Sequence, residues 1–378
     1  MNYKRLGNYI QEINIRNTDL KVDKLLGVSI QKAMMPSIAN TVGTDMSTYK
    51  IVKRGQFAYG PVTSRNGDKI SIALLDEYEE AIISQAYTSF EVIDKGVLLP
   101  EYLMMWFRRP EFDRYARFKS HGSAREIFDW DEMCSVELPI PSPEKQREIV
   151  AEYNAVQCRI DLNNQLIQKL EETAQAIYKQ WFVDFEFPNE DGKPYKSSGG
   201  EMVDSELGEI PRGWRVGRLG EICSINSGKS TNDSLSGKNP VYGAGGIIEY
   251  IEDFLIDEKI LIIGRVGTHG KVFRESAKCW PTDNTLLIKS DFYNYSYFIL
   301  FFLNYDEINR GGVQALITQT DIKAVSVLFP DAKSILNQFE VVVNYFFELI
   351  DISKKEIFKL KELQSLLLSK MARIETEK

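Results

Sequence analysis

The stretches best equipped for chemistry are short, polar and basic. WFRRPEFDRYARFKSHGSAR, residues 106–125, interleaves Arg108, Arg109, Arg114, Arg117, Lys119 and Arg125 with Trp106, Phe112, Tyr115 and Phe118. At helical spacing the aromatic rings pack inward while several arginines project towards a partner. Guanidinium groups can then clamp phosphates bidentately, with the loop around His121 and Gly122 adding its amides. The same pattern also suits a solvated arginine face over an ordinary aromatic core. Thr63, Ser64, Arg65, Asn66 and Lys69 form a polar loop between strands, which could reach base edges because Arg suits guanine and Asn suits adenine. Ser227, Lys229, Ser230 and Thr231 form a similar loop around Gly228. Arg265, Thr268, His269 and Lys271, within IIGRVGTHGKV, form another. Polar, glycine-containing loops are common on any surface, so each of these is modest evidence alone.

Catalytic patterns are weaker still. Asn239-Pro240-Val241-Tyr242 resembles the NPPY box of amino-methyltransferases but lacks its second proline, and no glycine-rich cofactor loop precedes it. Tyr242-Gly243-Ala244-Gly245-Gly246 misses the last glycine of GxGxxG, and no βαβ unit surrounds it. A turn between two strands accounts for both strings. There is no GxxxxGK[ST] loop for ATP. His121 and His269 have no matching serine, cysteine or ligand cluster, so neither a nucleophilic triad nor a metal site is built. The expectation is a chain without an active site.

The elements that must position these loops are two long helices. Ile149, Val156, Asn163, Leu170 and Ile177 fall seven apart, as do Tyr153, Ile160, Ile167, Ala174 and Trp181. That is an a/d seam over about five heptads within Pro143 to Phe185, led by Pro141 and Pro143. A shift of 190 residues finds the seam again in Phe339, Phe346, Ser353, Leu360 and Leu367. Val343, Ile350, Ile357, Gln364 and Met371 make its second line. Other pieces repeat too. Gly217-Arg218-Leu219-Gly220 echoes Lys4-Arg5-Leu6-Gly7, and LITQTDIKAVSVLFP aligns without gaps on IFDWDEMCSVELPIP. The chain reads as a tandem duplication in the order domain, helix, linker, domain, helix. The boundaries are 1–142, 143–186, 187–212, 213–332 and 333–378. The fold class is α/β (α+β), with two similar domains and a long antiparallel two-helix coiled coil between them. About 40 helical residues span roughly 60 Å, which predicts a rod that holds the domains apart as a ruler. A hairpin stalk without a measuring role, or a coil between chains, is the alternative.

At 378 residues, with 43% apolar and 26% charged, the chain is ordinary globular material too long for one core. Its net charge of -8 gives no support by itself to a nucleic-acid partner, and residues 1–142 are close to neutral. Any binding must therefore come from clustered cations. Cys134, Cys158, Cys223 and Cys279 are scattered, which fits reduced thiols in a cytoplasm. The N-terminus lacks an apolar signal region and no run approaches 18 apolar residues, so export and membrane spanning are not expected.

Assembled, the pattern resembles the specificity subunit of type I restriction-modification enzymes along essentially the whole chain. The duplicated layout carries the resemblance, with the proline-led PIPSPEKQREIV, the linker FPNEDGKPYKSSGGEMVDSELGEIPRGW, and the segments PVYGAGGIIEY and ILIIGRVGTHGKV. The loop Ser120–Arg125 only approximates the small-residue loop usual there, and Arg310-Gly311-Gly312-Val313-Gln314 diverges further. The resemblance implies two target recognition domains, each reading one half of a split double-stranded DNA sequence. The helices would set the spacer and dock the partners. Those partners would be two adenine-N6 methyltransferase subunits using S-adenosylmethionine and two ATP- and Mg-dependent translocase-endonuclease subunits, with no cofactor in this chain. Two readings compete with a DNA-reading subunit: a coiled-coil scaffold that never touches DNA, and a diverged methyltransferase acting alone.

Overall fold

A computed structural model describes residues 3–37, 43–122, 125–231, 236–267, 270–311 and 316–373. The chain divides into two compact units, residues 1–163 with 355–378, and residues 164–354. Both divisions fall inside long helices, Pro143–Phe182 and Lys333–Lys370. Each unit therefore contains part of both helices. Among the described residues, no helix is long and apolar enough to cross a membrane.

The first unit is built on an antiparallel four-stranded sheet. Thr88–Val92 pairs on one side with Ile10–Ile13 and on the other with Phe57–Tyr59, which in turn pairs with Ile72–Leu74. Fully apolar strands such as Phe57–Tyr59 bury both faces, and Phe57 stacks on Phe90 with ring centroids 4.8 Å apart. The basic aromatic stretch forms two helices, Pro100–Phe107 and Pro110–Phe118, because Pro110 cannot continue the first. The second unit repeats this plan. Thr285–Ser290 lies between Cys223–Ser227 and Ile260–Gly264, and the latter pairs with Val272–Glu275. The helix Tyr293–Phe302 follows. Asn239–Gly243 and Gly246–Ile251 form a hairpin, so the NPVYGAGG string is indeed two strands and their turn.

The duplication holds bond by bond. Tyr3–Arg5 pairs with Glu137–Pro139, and Trp214–Arg218 pairs with Ser326–Pro330. Leu6 N–H donates to the Val136 carbonyl at 2.7 Å, and Leu219 N–H to the Val325 carbonyl at 2.9 Å. A Cβ on Gly7 would lie 2.8 Å from Cys134 Cβ, and one on Gly220 would lie 3.0 Å from Lys323 Cβ. At both places only a residue without a side chain lets the backbone pass easily. Short helices Trp130–Cys134 and Gln319–Lys323 begin at Asp129 and Thr318, whose side chains accept from the third residue onward.

Within each unit the long helices pack antiparallel. In the first, Gln364 Nε2 donates to Gln157 Oε1 at 2.8 Å, and Arg159 bonds both oxygens of Glu356 at 2.8 and 3.3 Å. In the second, Phe339 meets Trp181 at 5.7 Å and Phe182 at 4.9 Å. Tyr153, Ile160, Leu170, Phe339, Val343, Ile350 and Ile357 are buried. Ile149, Val156, Ile167, Ile177, Phe346, Leu360 and Leu367 are half-buried. The first helix ends at Phe182, three residues short of the expected Phe185. Phe185 itself turns left-handed (φ 59°) and packs on Trp214 at 5.6 Å.

Each long helix also caps a short one. Gln146 Oε1 accepts from Leu99 N–H at 2.8 Å at the head of Pro100–Phe107, and its amide donates to the carbonyls of Val97 and Pro141. Glu340 accepts from Asn294 and Tyr295 N–H at 3.1 and 2.9 Å, at the head of Tyr293–Phe302. The stretch expected to be a bare linker is more ordered than that. Met202–Ser205 pairs with Gly208–Pro211. Phe187 stacks on Tyr195 at 4.7 Å and on Trp214 at 5.2 Å, because these rings have an apolar wall to cover.

Candidate nucleic-acid interface

In the first unit two polar loops are sewn together. Residues 61–69 join strands Phe57–Tyr59 and Ile72–Leu74, while residues 119–127 follow helix Pro110–Phe118. Val62 bridges to Ile127, Thr63 N–H donates to the Glu126 carbonyl at 3.0 Å, and Phe128 N–H donates to the Pro61 carbonyl at 2.9 Å. Thr63 is only 1% exposed, and its hydroxyl donates to Ser120 Oγ at 2.9 Å. It thus holds the loops together and cannot reach a base, contrary to the expectation from its neighbours. Ser64, Arg65 and Lys69 are exposed, as is Arg125 on the facing loop. Asn66 is half-buried and donates to the Val62 carbonyl at 3.3 Å.

The other expected contacts already have partners. Arg117 pairs with Glu126, and Lys119 lies 3.3 Å and His121 3.8 Å from Glu132. A phosphate contact by these three would compete with the neighbouring carboxylates. Among the described residues, Arg65, Lys69 and Arg125 have no carboxylate in ion-pair range, so they are the more available cations. Arg109 does not project outward. It is buried, with its guanidinium 4.1 Å from the centre of the Trp106 ring, and Arg108 lies over Tyr153 at 5.5 Å. Phe118 breaks the expectation in the other direction and is 80% exposed. Helix Pro110–Phe118 turns Phe112, Asp113 and Ala116 inward, leaving Phe118 on the far face. There it borders, with Lys69, Arg114 and Arg117, a groove of about 550 Å³.

In the second unit Ser227 closes strand Cys223–Ser227, and its hydroxyl meets Gln319 at 3.0 Å and Arg265 Nη1 at 3.5 Å. Lys229 and Ser230 are exposed and Thr231 is half-buried. Arg265 is half-buried. Its backbone N–H donates to the Asn284 carbonyl, its own carbonyl accepts from Ile317 N–H at 2.9 Å, and Val266 bridges to Leu316. Lys271 is exposed beside strand Val272–Glu275. Thr268 and His269 lie outside the described residues.

Arg265 and Val266 are the counterparts of Pro61 and Val62, docked by the same pattern of bonds. The likeness extends to side chains that the sequence did not single out as a pair. His121 N–H donates to the Ile127 carbonyl, and Arg310 N–H donates to the Leu316 carbonyl, both at 3.0 Å. His121 faces Glu132, and Arg310 forms an ion pair with Asp321. Burial pushes the Asp321 carboxyl upward, but hydrogen bonds from Thr318 and Arg310 outweigh it and hold the group below the usual range. Gap-free alignment of the two helix-strand segments could have revealed this pairing. Among the described residues, no cluster of three or more His, Cys, Asp or Glu is arranged to hold a metal ion. The arrangement offers free polar and cationic side chains on backbones tied down at both ends, which suits recognition.

Comparison with known proteins bears on this geometry. Residues 211–362 match the family model described as type I restriction modification DNA specificity domain. The type I restriction enzyme MjaIX specificity subunit of Methanocaldococcus jannaschii is 26% identical over 309 residues, covering 74% of this chain and 70% of that one. The HindI specificity subunit of Haemophilus influenzae is 29% identical over 153 residues, 39% of this chain and 32% of its own. The crystal structure of a type I restriction-modification S subunit from M. genitalium shares the fold with a TM-score of 0.59 at 12% identity, covering 99% of this chain and 96% of that one. With a DNA specificity domain matched over residues 211–362 and similarity to specificity subunits along most of its length, the chain resembles the type I restriction-modification specificity family.

Proposed function

We propose that this chain is the DNA-reading subunit of a type I restriction-modification enzyme and is not itself catalytic. The observation that carries the reading is the repeated docking of a polar loop, 61–69 and 265–271, onto the segment before each short helix. Two equivalent presenting surfaces suit two half-sites, one for each domain. The overall acidity is compatible with this, because Arg65, Lys69 and Arg125 are exposed on two loops bonded to each other and partner subunits can supply further positive surface.

The partners in this proposal are two adenine-N6 methyltransferase subunits and, in the restriction form, two translocase-endonuclease subunits. S-adenosylmethionine, ATP and Mg would be held by those subunits, in the cytoplasm. The long helices would set the number of unread base pairs and dock the methyltransferases. Supporting the docking role, Val341, Tyr345 and Ile352 in the second unit and Phe358 and Leu366 in the first are exposed apolar side chains on one helix.

A gel shift with and without methyltransferase subunits tests the proposal. Specific, salt-sensitive binding to one split sequence is expected when those subunits are present. Assembly with the subunits but no sequence-specific shift at any salt concentration would instead indicate a scaffold. Covalent labelling of the isolated chain by photoactivated S-adenosylmethionine would contradict the non-catalytic assignment.

A further inference from the structure

Two short turns occupy the same place in the two units. Between strands Glu80–Ile83 and Thr88–Val92 the chain turns at Ser84, whose carbonyl accepts from Tyr87 N–H at 3.1 Å. Between Trp280–Pro281 and Thr285–Ser290 it turns at Thr282, whose carbonyl accepts from Thr285 N–H at 3.0 Å. Each turn leads into the strand that lies second in its four-stranded sheet. The backbone is repeated, but the two middle residues differ: Gln85-Ala86 in one, Asp283-Asn284 in the other. All four are exposed.

The second turn is braced from below. Thr282 donates to the Tyr242 carbonyl through both its N–H and its hydroxyl at 2.9 Å, and Thr285 Oγ1 donates to the Thr282 carbonyl at 2.7 Å. Lys229 N–H donates to the Pro281 carbonyl at 3.0 Å, and Trp280 Nε1 to the Lys229 carbonyl at 2.8 Å. Gly228 passes so close that a Cβ there would lie 2.1 Å from the Thr282 carbonyl oxygen. Asp283 and Asn284 border a groove of about 460 Å³ with Ser230, Glu249 and Val266.

Elsewhere in the chain, turn residues use their side chains on the turn itself. Asp45 accepts from Ser47 N–H, and Asn189 from Asp191 N–H, both at 3.0 Å. Among the described residues, the side chains of Gln85, Asp283 and Asn284 have no hydrogen-bond partner, although the backbone beneath them is fixed. Base readout needs that combination of unspent donors and acceptors on a rigid support. A carboxylate is repelled by phosphates, so Asp283 suits a base amino group, while Asn284 and Gln85 match the N6/N7 edge of adenine.

Building on the assignment of the chain as a DNA reader, we infer that these turns determine specificity. Asp283 and Asn284 read bases of the second domain's half-site, and Gln85 reads a base of the first domain's.

The test uses the full chain assembled with methyltransferase subunits. A randomised duplex library is methylated with S-adenosylmethionine and the modified molecules are sequenced. The wild type should yield one split consensus, and no consensus at all would overturn both the DNA-reading assignment and the role of the turns. Asp283→Ala with Asn284→Ala should lower discrimination about tenfold or more at one or two positions of one half-site. The other half and the spacer should stay as they were. Gln85→Ala should do the same to the opposite half. Should the double variant fail to assemble, Asp283→Asn, which keeps the shape, carries the test. An unchanged consensus in variants that assemble, or a change in both halves from one turn, would overturn the inference.

Discussion

Gln146 and Glu340 fasten short helices to long ones, and they do so with different chemistry. Gln146 is neutral and fully buried, with three bonds made. Replacing it by Ala would leave an N–H and two carbonyls without that partner, a loss on the order of 3 kcal/mol. Urea denaturation of Gln146→Ala checks this, and a loss below about 0.5 kcal/mol would contradict it. Glu340 is raised from its ordinary value chiefly by burial, despite the bonds from Tyr295 and Asn294. As pH rises above the ordinary 4.5, the unfolded carboxyl ionises first while the folded one keeps its proton. Stability contributed by Glu340 is therefore greatest at low pH and declines as pH rises through the folded value. Glu340→Gln should flatten that decline in denaturation curves taken across the range, and superimposable pH profiles would refute it. Neither cap was legible from sequence, because a Gln or Glu on a long helix looks like any solvated polar residue. The burial of Thr63 is hidden in the sequence for the same reason, since its polar neighbours conceal its place inside the loop junction.

At the scale of elements, the period of the apolar residues is what made the long helices readable. The seam holds over most of their length, although Tyr178, Phe347 and Leu368 are buried more deeply than their seam neighbours Ile177, Phe346 and Leu367. A helix of 3.6 residues per turn rotates away from a seven-residue repeat. Near its ends each helix also meets domain aromatics, as where Tyr178 stacks on Phe298 at 5.1 Å. Ile357 remains in the packed face at 9% exposure. Ile357→Asp should cost about 3 kcal/mol or more and weaken assembly with partner subunits, and normal assembly at normal stability would count against the packing described. Phe118 and the ordered hairpin of 202–211 were hidden from pattern reading, because their environment is set by residues distant in the chain.

For the molecule as a whole, the tandem repeat was legible because its copies preserve whole sets of contacts. The register that sets Arg5 opposite Glu137 also sets Arg218 opposite Ser326. What differs between the copies is the exposed polar chemistry, such as Gln85-Ala86 against Asp283-Asn284. That division of labour is expected of a scaffold whose two copies recognise different sequences. If the paired helices set the spacer, one heptad added to each would lengthen them by about 10 Å. Mapping of methylated sites should then show a longer spacer between unchanged half-sites, and an unchanged spacer would remove the measuring role.

The most direct test replaces residues 1–142 with the corresponding domain of a relative that has a different target and maps methylated bases in DNA from cells that also carry the proposed partner subunits. One half of the split sequence should change, with the other half and the spacer retained. A change in both halves, or in neither, would contradict the assignment of one half-site to each repeat.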